Sequence, residues 1–152
     1  MEQGRGKMKL VLTILFTSLL FFNSFGQSVL GKWKTYDVYN SSIAESIVEI
    51  YEIDNKLFVR IDSIIPVEHQ LDLCRKCSGA EKDQPILGLV IVKGAVQENG
   101  IWKGAKILNA KNGNWYGCQI SLASSDRLKV RGFIGYPFFG RNFYWTRFEN
   151  EQ

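Results

Sequence analysis

The sequence contains little of what most metal sites and catalytic centres are built from. Its 152 residues include one histidine, three cysteines and three prolines. This scarcity of ligands excludes most multi-ligand metal folds, and a single histidine leaves little material for a nucleophile paired with a base. Charged residues make up only 22% of the chain and hydrophobic residues 45%, which is the composition of a folded domain and not of a disordered chain. One domain is the expected number for this length.

The chain also lacks a strong excess of charge of either sign. The formal charge is +4, and it falls to +2 when residues 1–26 are set aside, because 16 lysines and arginines then face 14 aspartates and glutamates. This surplus gives no reason to expect a nucleic acid or an anionic membrane surface as partner. No glycine-rich phosphate-binding loop follows a strand and opens a helix, so nucleotide binding by that route is not expected either.

The N-terminal segment, residues 1–26, has the layout of a secretory signal peptide. Two lysines precede an apolar run at 10–22, and small residues stand three and one positions before the expected cleavage site at Gly26/Gln27. The apolar run is shorter than the roughly 20 residues that a membrane-spanning helix needs, and an uncleaved N-terminal anchor is the alternative. We therefore expect a mature protein without a transmembrane segment, exported to the periplasm or secreted, where disulfides persist.

The rest of the chain, residues 27–152, alternates between apolar and polar side chains with the period of two that is typical of half-buried strands. No apolar stripe of helical period is longer than a turn or two. Turn residues such as Asp54-Asn55 and Asn99-Gly100 separate the alternating runs and permit tight connections. The pattern predicts eight strands, at residues 31–39, 45–53, 56–64, 87–97, 101–109, 114–123, 127–134 and 139–148.

Strands connected in this way predict an all-β fold, an eight-stranded antiparallel up-and-down barrel. Closure removes the exposed sheet edges that an open sheet would leave. A barrel of this size is just wide enough to be filled by side chains or to hold one small ligand. The strand that begins at residue 87 is apolar on both faces, so its outer face needs a cover. The long irregular segment 65–86, or a partner, is the candidate cover, and loops of this length often carry function.

Two motifs near the ends of the mature chain resemble the lipocalin and fatty-acid-binding group. They are Gly31-Lys32-Trp33, at the start of the first strand, and Trp145-Thr146-Arg147, in the last strand. The resemblance implies that Arg147 covers Trp33 and that the two form a structural plug at the closed end of the barrel. A guanidinium placed over an indole contributes roughly 0.5 to 2 kcal/mol.

A longer pattern resembles DUF2147, a family of exported, lipocalin-like bacterial proteins whose biochemical role is uncharacterised. The resemblance runs from about residue 30 to 148 and implies the fold rather than an activity. It is carried by Val48-Glu49-Ile50-Tyr51, Cys74-Arg75-Lys76-Cys77, Asp83-Gln84-Pro85-Ile86-Leu87-Gly88, Trp102-Lys103-Gly104-Ala105-Lys106-Ile107, Asn112-Gly113, Leu128-Lys129-Val130-Arg131-Gly132-Phe133-Ile134-Gly135 and Phe139-Gly140-Arg141.

A C-x-x-C pair, Cys74 and Cys77, lies in the long segment shortly after His69 and Asp72. In an exported protein we interpret the pair as a disulfide that closes a short local loop. Two alternatives stay open. One is a thiol–disulfide exchange site, which needs a lowered thiolate pKa; the other is a metal site of His69, Cys74 and Cys77, with Cys118 as a candidate fourth ligand. Alternation places Cys118 on the apolar face of its strand, where we interpret it as a small buried hydrophobe.

Aromatic residues crowd around three arginines in the C-terminal third of the chain. An apolar cavity with a guanidinium suits an amphipathic acid, because the carboxylate gains a bidentate hydrogen bond while the tail leaves water. Alternation from Leu128 places Arg131 on the polar face, which favours a surface position for that residue. The face shared by Arg141 and Phe143 is not assigned to the inside or the outside by the sequence. The candidate ligand-binding residues are Arg141, Phe143, Tyr116 and Arg131.

We therefore predict a non-enzymatic exported barrel that binds a small apolar or amphipathic ligand, without a cofactor. The alternative is a structural or partner-binding module of the cell envelope whose barrel is filled by its own side chains. A thiol or metal site at the C-x-x-C loop is the third hypothesis. No catalytic residue is assigned, because the carboxylates fall mostly at turns or on outward faces and the one histidine stands near cysteines that we expect to be oxidised.

Overall fold

A computed structural model describes residues 28–149, so the predicted signal peptide lies outside the described residues. The described chain forms a closed antiparallel barrel in which each strand pairs with the next and the last pairs with the first. This confirms the predicted up-and-down barrel. No helix of this region is long and apolar enough to cross a membrane. The strands are β1 (Gly31–Tyr36), β2 (Ala44–Ile53), β3 (Lys56–Ile64), β4 (Val90–Glu98), β5 (Ile101–Asn109), β6 (Asn114–Ser124), β7 (Arg127–Phe133) and β8 (Arg141–Arg147).

All eight predicted strands are present, and the differences lie at their ends. β1 stops at Tyr36 because the Asp37 carboxylate accepts hydrogen bonds from the backbone N–H groups of Tyr39 and Asn40, at 2.8 and 2.9 Å, and turns the chain. β8 begins later than predicted because Pro137–Phe139 form a 3₁₀ turn. Local side-chain chemistry, rather than hydropathy, therefore decides where these strands end.

The connections give the barrel two different ends. At one end, which we call the closed end, strands join through two-residue turns at Asp54-Asn55, Asn99-Gly100 and Ser125-Asp126. Asp54, Asn55 and Asn99 have positive φ, as tight hairpin turns require. At the opposite end, which we call the open end, the loops are longer. These open-end loops are residues 37–43, 65–89, 110–113 and 134–140.

Side chains fill the barrel interior toward the closed end. Val48 lies opposite both Trp33 and Ile61 across its two neighbouring strands, and Ile120 lies opposite Val130, so these residues share the inner face. Burying each large aliphatic side chain contributes about 1.5 to 3 kcal/mol. The inner residues that are at most 1% exposed are Trp33, Val48, Ile50, Leu57, Val59, Val92, Ala95, Ile120, Leu128 and Val130.

The long loop 65–89 contacts β4 and the connection between β5 and β6. Leu108 follows an inward-facing residue and therefore points to the outside of the barrel. It is nevertheless buried, because the loop covers it. The Cys74 Sγ atom lies 3.5 Å from the Ala110 carbonyl oxygen, and Glu81 of the loop forms an ion pair with Lys93 of β4. The loop thus supplies the cover that the apolar outer face of β4 requires.

Candidate functional site

Trp33 and Arg147 meet at the closed end. The Arg147 guanidinium lies 4.1 Å from the centre of the Trp33 ring, and Trp33 is fully buried. The indole Nε1–H donates a hydrogen bond to the Val29 carbonyl oxygen at 2.8 Å. The structure therefore brings the two residues that the resemblance named into contact at the closed end. The Arg147 side chain also donates to three backbone oxygens, those of Ser28, Leu30 and Ser125.

A surface depression of about 720 Å³ lies at this same end. The buried Trp33 ring separates this depression from the barrel interior. It is therefore not the internal pocket that a ligand-holding barrel requires. Its lining consists of Lys34, Asp126, Arg147, Phe148 and Glu149.

The strand register places Arg141 and Phe143 on the inner face of the barrel, which sequence alone did not decide. Phe143 lies opposite Val130, and Val130 lies opposite the fully buried Ile120. Residues directly opposite each other on antiparallel neighbours project to the same face of the sheet. Arg141 stands two positions from Phe143 toward the open end, so it belongs to the same inner face, and it is exposed there.

The inner wall toward the open end carries apolar side chains that are only partly buried, next to one polar pair, Thr35 and Ser46, whose hydroxyl oxygens lie 2.7 Å apart. Tyr116 lies opposite Ile107, which lies opposite the buried Val92, so all three face inward. Four side chains on this part of the inner face keep part of their surface accessible, unlike the inner residues nearer the closed end. They are Tyr116, Ile107, Phe143 and Ile64. The Tyr116 hydroxyl accepts a hydrogen bond from the side-chain amide of Asn112 at 2.9 Å. We call this region the cup, defined by Ile64, Ile107, Tyr116 and Phe143 with Arg141 at its rim.

Arg131 is the candidate ligand-binding residue that the structure separates from the other three. It lies opposite Gln119 and Asn142, on the outer face. Its guanidinium donates hydrogen bonds to the Pro137 oxygen at 2.7 Å, to the Asn142 side chain at 2.7 Å and to the Phe138 oxygen at 3.2 Å. Arg131 therefore holds the β7–β8 loop and does not face the cup, in agreement with the polar face that alternation assigned to it.

The residues of the thiol and metal hypothesis do not form a ligand cluster. Cys74 and Cys77 are joined in the predicted disulfide and are buried. His69 is exposed, and its Nδ1 lies 2.9 Å from the Asp72 carboxylate. Among the described residues, no group of three or more His, Cys, Asp or Glu side chains is placed to hold a metal ion. Burial raises the pKa of the Cys118 thiol to about 12, which keeps it protonated at neutral pH and a poor nucleophile.

An ion-pair bridge reaches across the open end. Lys111, in the β5–β6 loop, lies 3.1 Å from the Asp37 carboxylate and also contacts the carboxylate of Glu45. The two acids belong to the β1–β2 side of the ring, three strands away from Lys111 in either direction. The bridge therefore joins opposite sides of the open end. Sequence reasoning missed it, because a lysine in a turn is usually solvated surface.

Acidification tests the Asp37 side of this bridge. The backbone N–H of Tyr39 and then the Lys111 side chain lower the pKa of the Asp37 carboxyl from 3.8 to about 2. Because the folded-state pKa is the lower one, the stabilisation is present above the unfolded-state value and is lost as the pH falls through about 2. As the pH falls from 3.8 to about 2, we expect the urea midpoint of Asp37→Asn to change less than the urea midpoint of the wild type. Parallel curves for the two proteins would contradict the assignment.

The fold defines a class, the lipocalin-like barrels. Protein HP1028 from Helicobacter pylori, described as belonging to the lipocalin family, has a similar structure with a TM-score of 0.71 and 18% sequence identity. The similarity covers 82% of this chain and 86% of that one, and at this identity it shows the fold alone.

Within that class, the chain belongs to the family DUF2147, described as an uncharacterized protein conserved in bacteria. The family's sequence profile matches residues 31–147, which confirms the resemblance carried by the motifs. No curated protein matches the chain.

Proposed function

We propose that the protein is a non-enzymatic, exported binding protein that holds the apolar tail of an amphipathic acid in the cup. The observation that carries the proposal is the change in side-chain burial along the inner wall, from the closed end to the open end. Side chains near the closed end are fully buried, whereas the apolar side chains of the cup remain partly accessible. A partly accessible apolar wall is what a small ligand needs in order to leave water. The Cys74–Cys77 disulfide supports a location outside the cytoplasm.

Arg141 is the residue that we assign to the acid group of the ligand. It lies on the inner face at the rim of the cup, and it forms no ion pair with any carboxylate of residues 28–149. The guanidinium groups of Arg131 and Arg147, in contrast, are occupied by backbone oxygens. A free guanidinium at the mouth of an apolar cup can form the bidentate contact that a carboxylate favours.

The assignment predicts a specific loss of affinity in Arg141→Gln. We expect this variant to bind the fluorescent probe 11-(dansylamino)undecanoic acid at least about tenfold more weakly than the wild type, because a charge-assisted contact is removed. The matched control is Lys106→Gln, which removes the same charge from the exposed outer wall and should leave the affinity unchanged.

The same titration separates the two leading functions. Saturable binding of the probe, weakened only in Arg141→Gln, supports ligand binding in the cup. Absence of saturable binding to the wild type contradicts it and favours the alternative, a partner-binding module of the envelope. Mass spectrometry of small molecules that co-purify with the protein then identifies the natural ligand.

A further inference from the structure

The open end carries the most exposed hydrophobic side chains of the described residues. Seven large hydrophobic side chains between residues 28 and 149 are at least 75% exposed, and all seven lie in open-end loops. Three are in the loops 37–43 and 65–89. Single exposed hydrophobic residues are ordinary, but a concentration at one end of the molecule marks an interaction surface. The remaining four lie together in loop 134–140 and are Ile134, Tyr136, Phe138 and Phe139.

The hairpin that carries this loop is uniformly basic. Residues 127–148 include five lysines and arginines and no aspartate or glutamate, although the mature chain as a whole has almost balanced charge. Arg127 and Arg147 of this set lie at the closed end. Arg131 and Arg141 stand on either side of the loop. Apolar side chains at the tip, with cations behind them, complement a surface that is apolar below a negatively charged layer.

We propose that the open end docks on an anionic phospholipid bilayer, with loop 134–140 inserted into the headgroup region. Aromatic side chains favour this region because they present an apolar body and, in tyrosine, a polar tip. Arg131 and Arg141 would then lie at the level of the lipid phosphates. The Phe138 and Phe139 rings pack edge to face, with their centres 5.3 Å apart, and form one compact apolar tip.

The hydrogen bonds within the loop suit it to this environment. Entering an apolar layer is costly for backbone groups that lose water without gaining a partner. Here Arg131 donates to the carbonyl oxygens of Pro137 and Phe138. The Phe139 N–H donates to the Tyr136 oxygen at 3.1 Å, and the Gly140 N–H donates to the Pro137 oxygen at 3.0 Å. On insertion, the rings of the tip would therefore leave water while these backbone groups stay paired.

Charge favours a bilayer over a second copy of the chain as the occupant of this surface. Two copies that met through this loop in a symmetric contact would bring the basic hairpins of both together, and like charges at an interface are repulsive. Anionic lipid supplies the opposite charge. Docking of the tip requires no ligand in the cup, so membrane docking and ligand binding can be tested independently of each other.

Vesicle sedimentation of the ligand-free chain from Gln27 onward, which contains every strand of the barrel, tests the inference. We expect binding to vesicles of phosphatidylglycerol and phosphatidylethanolamine, and weaker binding when salt rises from about 0.05 M to about 0.5 M. The double variant Phe138→Ser/Phe139→Ser should lower the partition coefficient at least about tenfold. The control Ile53→Ser/Ile101→Ser removes two exposed hydrophobic side chains at the closed end and should keep binding within about twofold.

A second readout does not depend on a polar substitution in the loop. Phe138→Trp places an indole at the tip, and its emission should be quenched by brominated lipids more strongly than that of the wild type. Three results would overturn the inference: no vesicle binding at low salt, equal binding by the Phe138→Ser/Phe139→Ser variant, or an indole that brominated lipids do not quench. A dimer that forms without vesicles and is abolished by the double variant would instead assign the surface to a second copy.

Discussion

Replacing Trp33 with alanine is expected to lower the free energy of unfolding by about 3 to 5 kcal/mol. The indole is fully buried, so the substitution leaves a cavity at the closed end. The Arg147 guanidinium loses the ring that it covers at 4.1 Å, and the Val29 carbonyl oxygen loses its Nε1–H donor. These losses add to the transfer free energy of the removed side chain.

Urea unfolding followed by far-ultraviolet circular dichroism measures this effect. The control is Trp115→Ala on the outer wall, where the ring is only partly buried and the expected loss is smaller. Affinity for the fluorescent acid should be unchanged in Trp33→Ala wherever the variant is folded, since the cup lies at the other end. An unchanged melting temperature in Trp33→Ala would contradict the role of Trp33 beneath Arg147.

Replacing Gly113 with alanine is expected to lower the free energy of unfolding by about 2 to 4 kcal/mol, from a disfavoured backbone conformation and from overpacking. Gly113 has a φ of +77°, and a Cβ atom there would lie 1.9 Å from the Lys76 carbonyl oxygen and 2.8 Å from the Cys77 nitrogen. Both neighbours are backbone atoms of the disulfide loop, so no side-chain rotation relieves the contact. The loop 65–89 must move away from the β5–β6 hairpin.

Gly100→Ala is the matched control for this substitution. Gly100 has nearly the same φ, +78°, but nothing lies within 4 Å of its ideal Cβ position. Its variant should therefore show only the backbone cost, roughly 1 kcal/mol. The difference between the two urea-unfolding free energies measures how firmly the disulfide loop packs on the hairpin. Equal losses would show that the loop is displaced at no cost.

The strands could be predicted because their side chains record which face is buried. β6 alternates without interruption from Tyr116 through Cys118 and Ile120 to Leu122, and these residues all face inward. The position of the long loop could not be predicted in the same way. The buried outer surface at Leu108 depends on contacts with residues more than 30 positions away, such as Cys74. Sequence reasoning therefore named a required cover without deciding between the loop and a partner.

The cup could be predicted only in part, since β8 has no clear contrast between its faces. Its inner face begins with Arg141 and ends with Arg147, whereas its outer face includes Tyr144. Only the pairing with β7, which places Phe143 opposite Val130, assigns the faces. Long-range register is not contained in the local pattern, so the sequence left this face undecided.

The exposed aromatic tip was hidden from sequence reasoning for a related reason. Hydropathy treats Phe138 and Phe143 alike, yet the first is exposed in a loop and the second packs on the core. The local signal that separates them is the turn chemistry of Gly135, Pro137 and Gly140 around the tip. A turn projects its side chains away from the barrel wall, and this explains why apolar residues there are not buried.

The pairing of β1 with β8 is the shortest in the barrel, and we expect the cylinder to open there first. Only two residue pairs are in register there, Trp33 with Arg147 and Lys34 with Thr146. All other pairings join neighbours along the chain, whereas this one joins segments more than 100 residues apart, which makes it the slowest to form. The contact between the Arg147 guanidinium and the Trp33 indole therefore helps to hold these two strands together. Opening of this pair would expose two unpaired strand edges to other chains, so we expect aggregation to begin there.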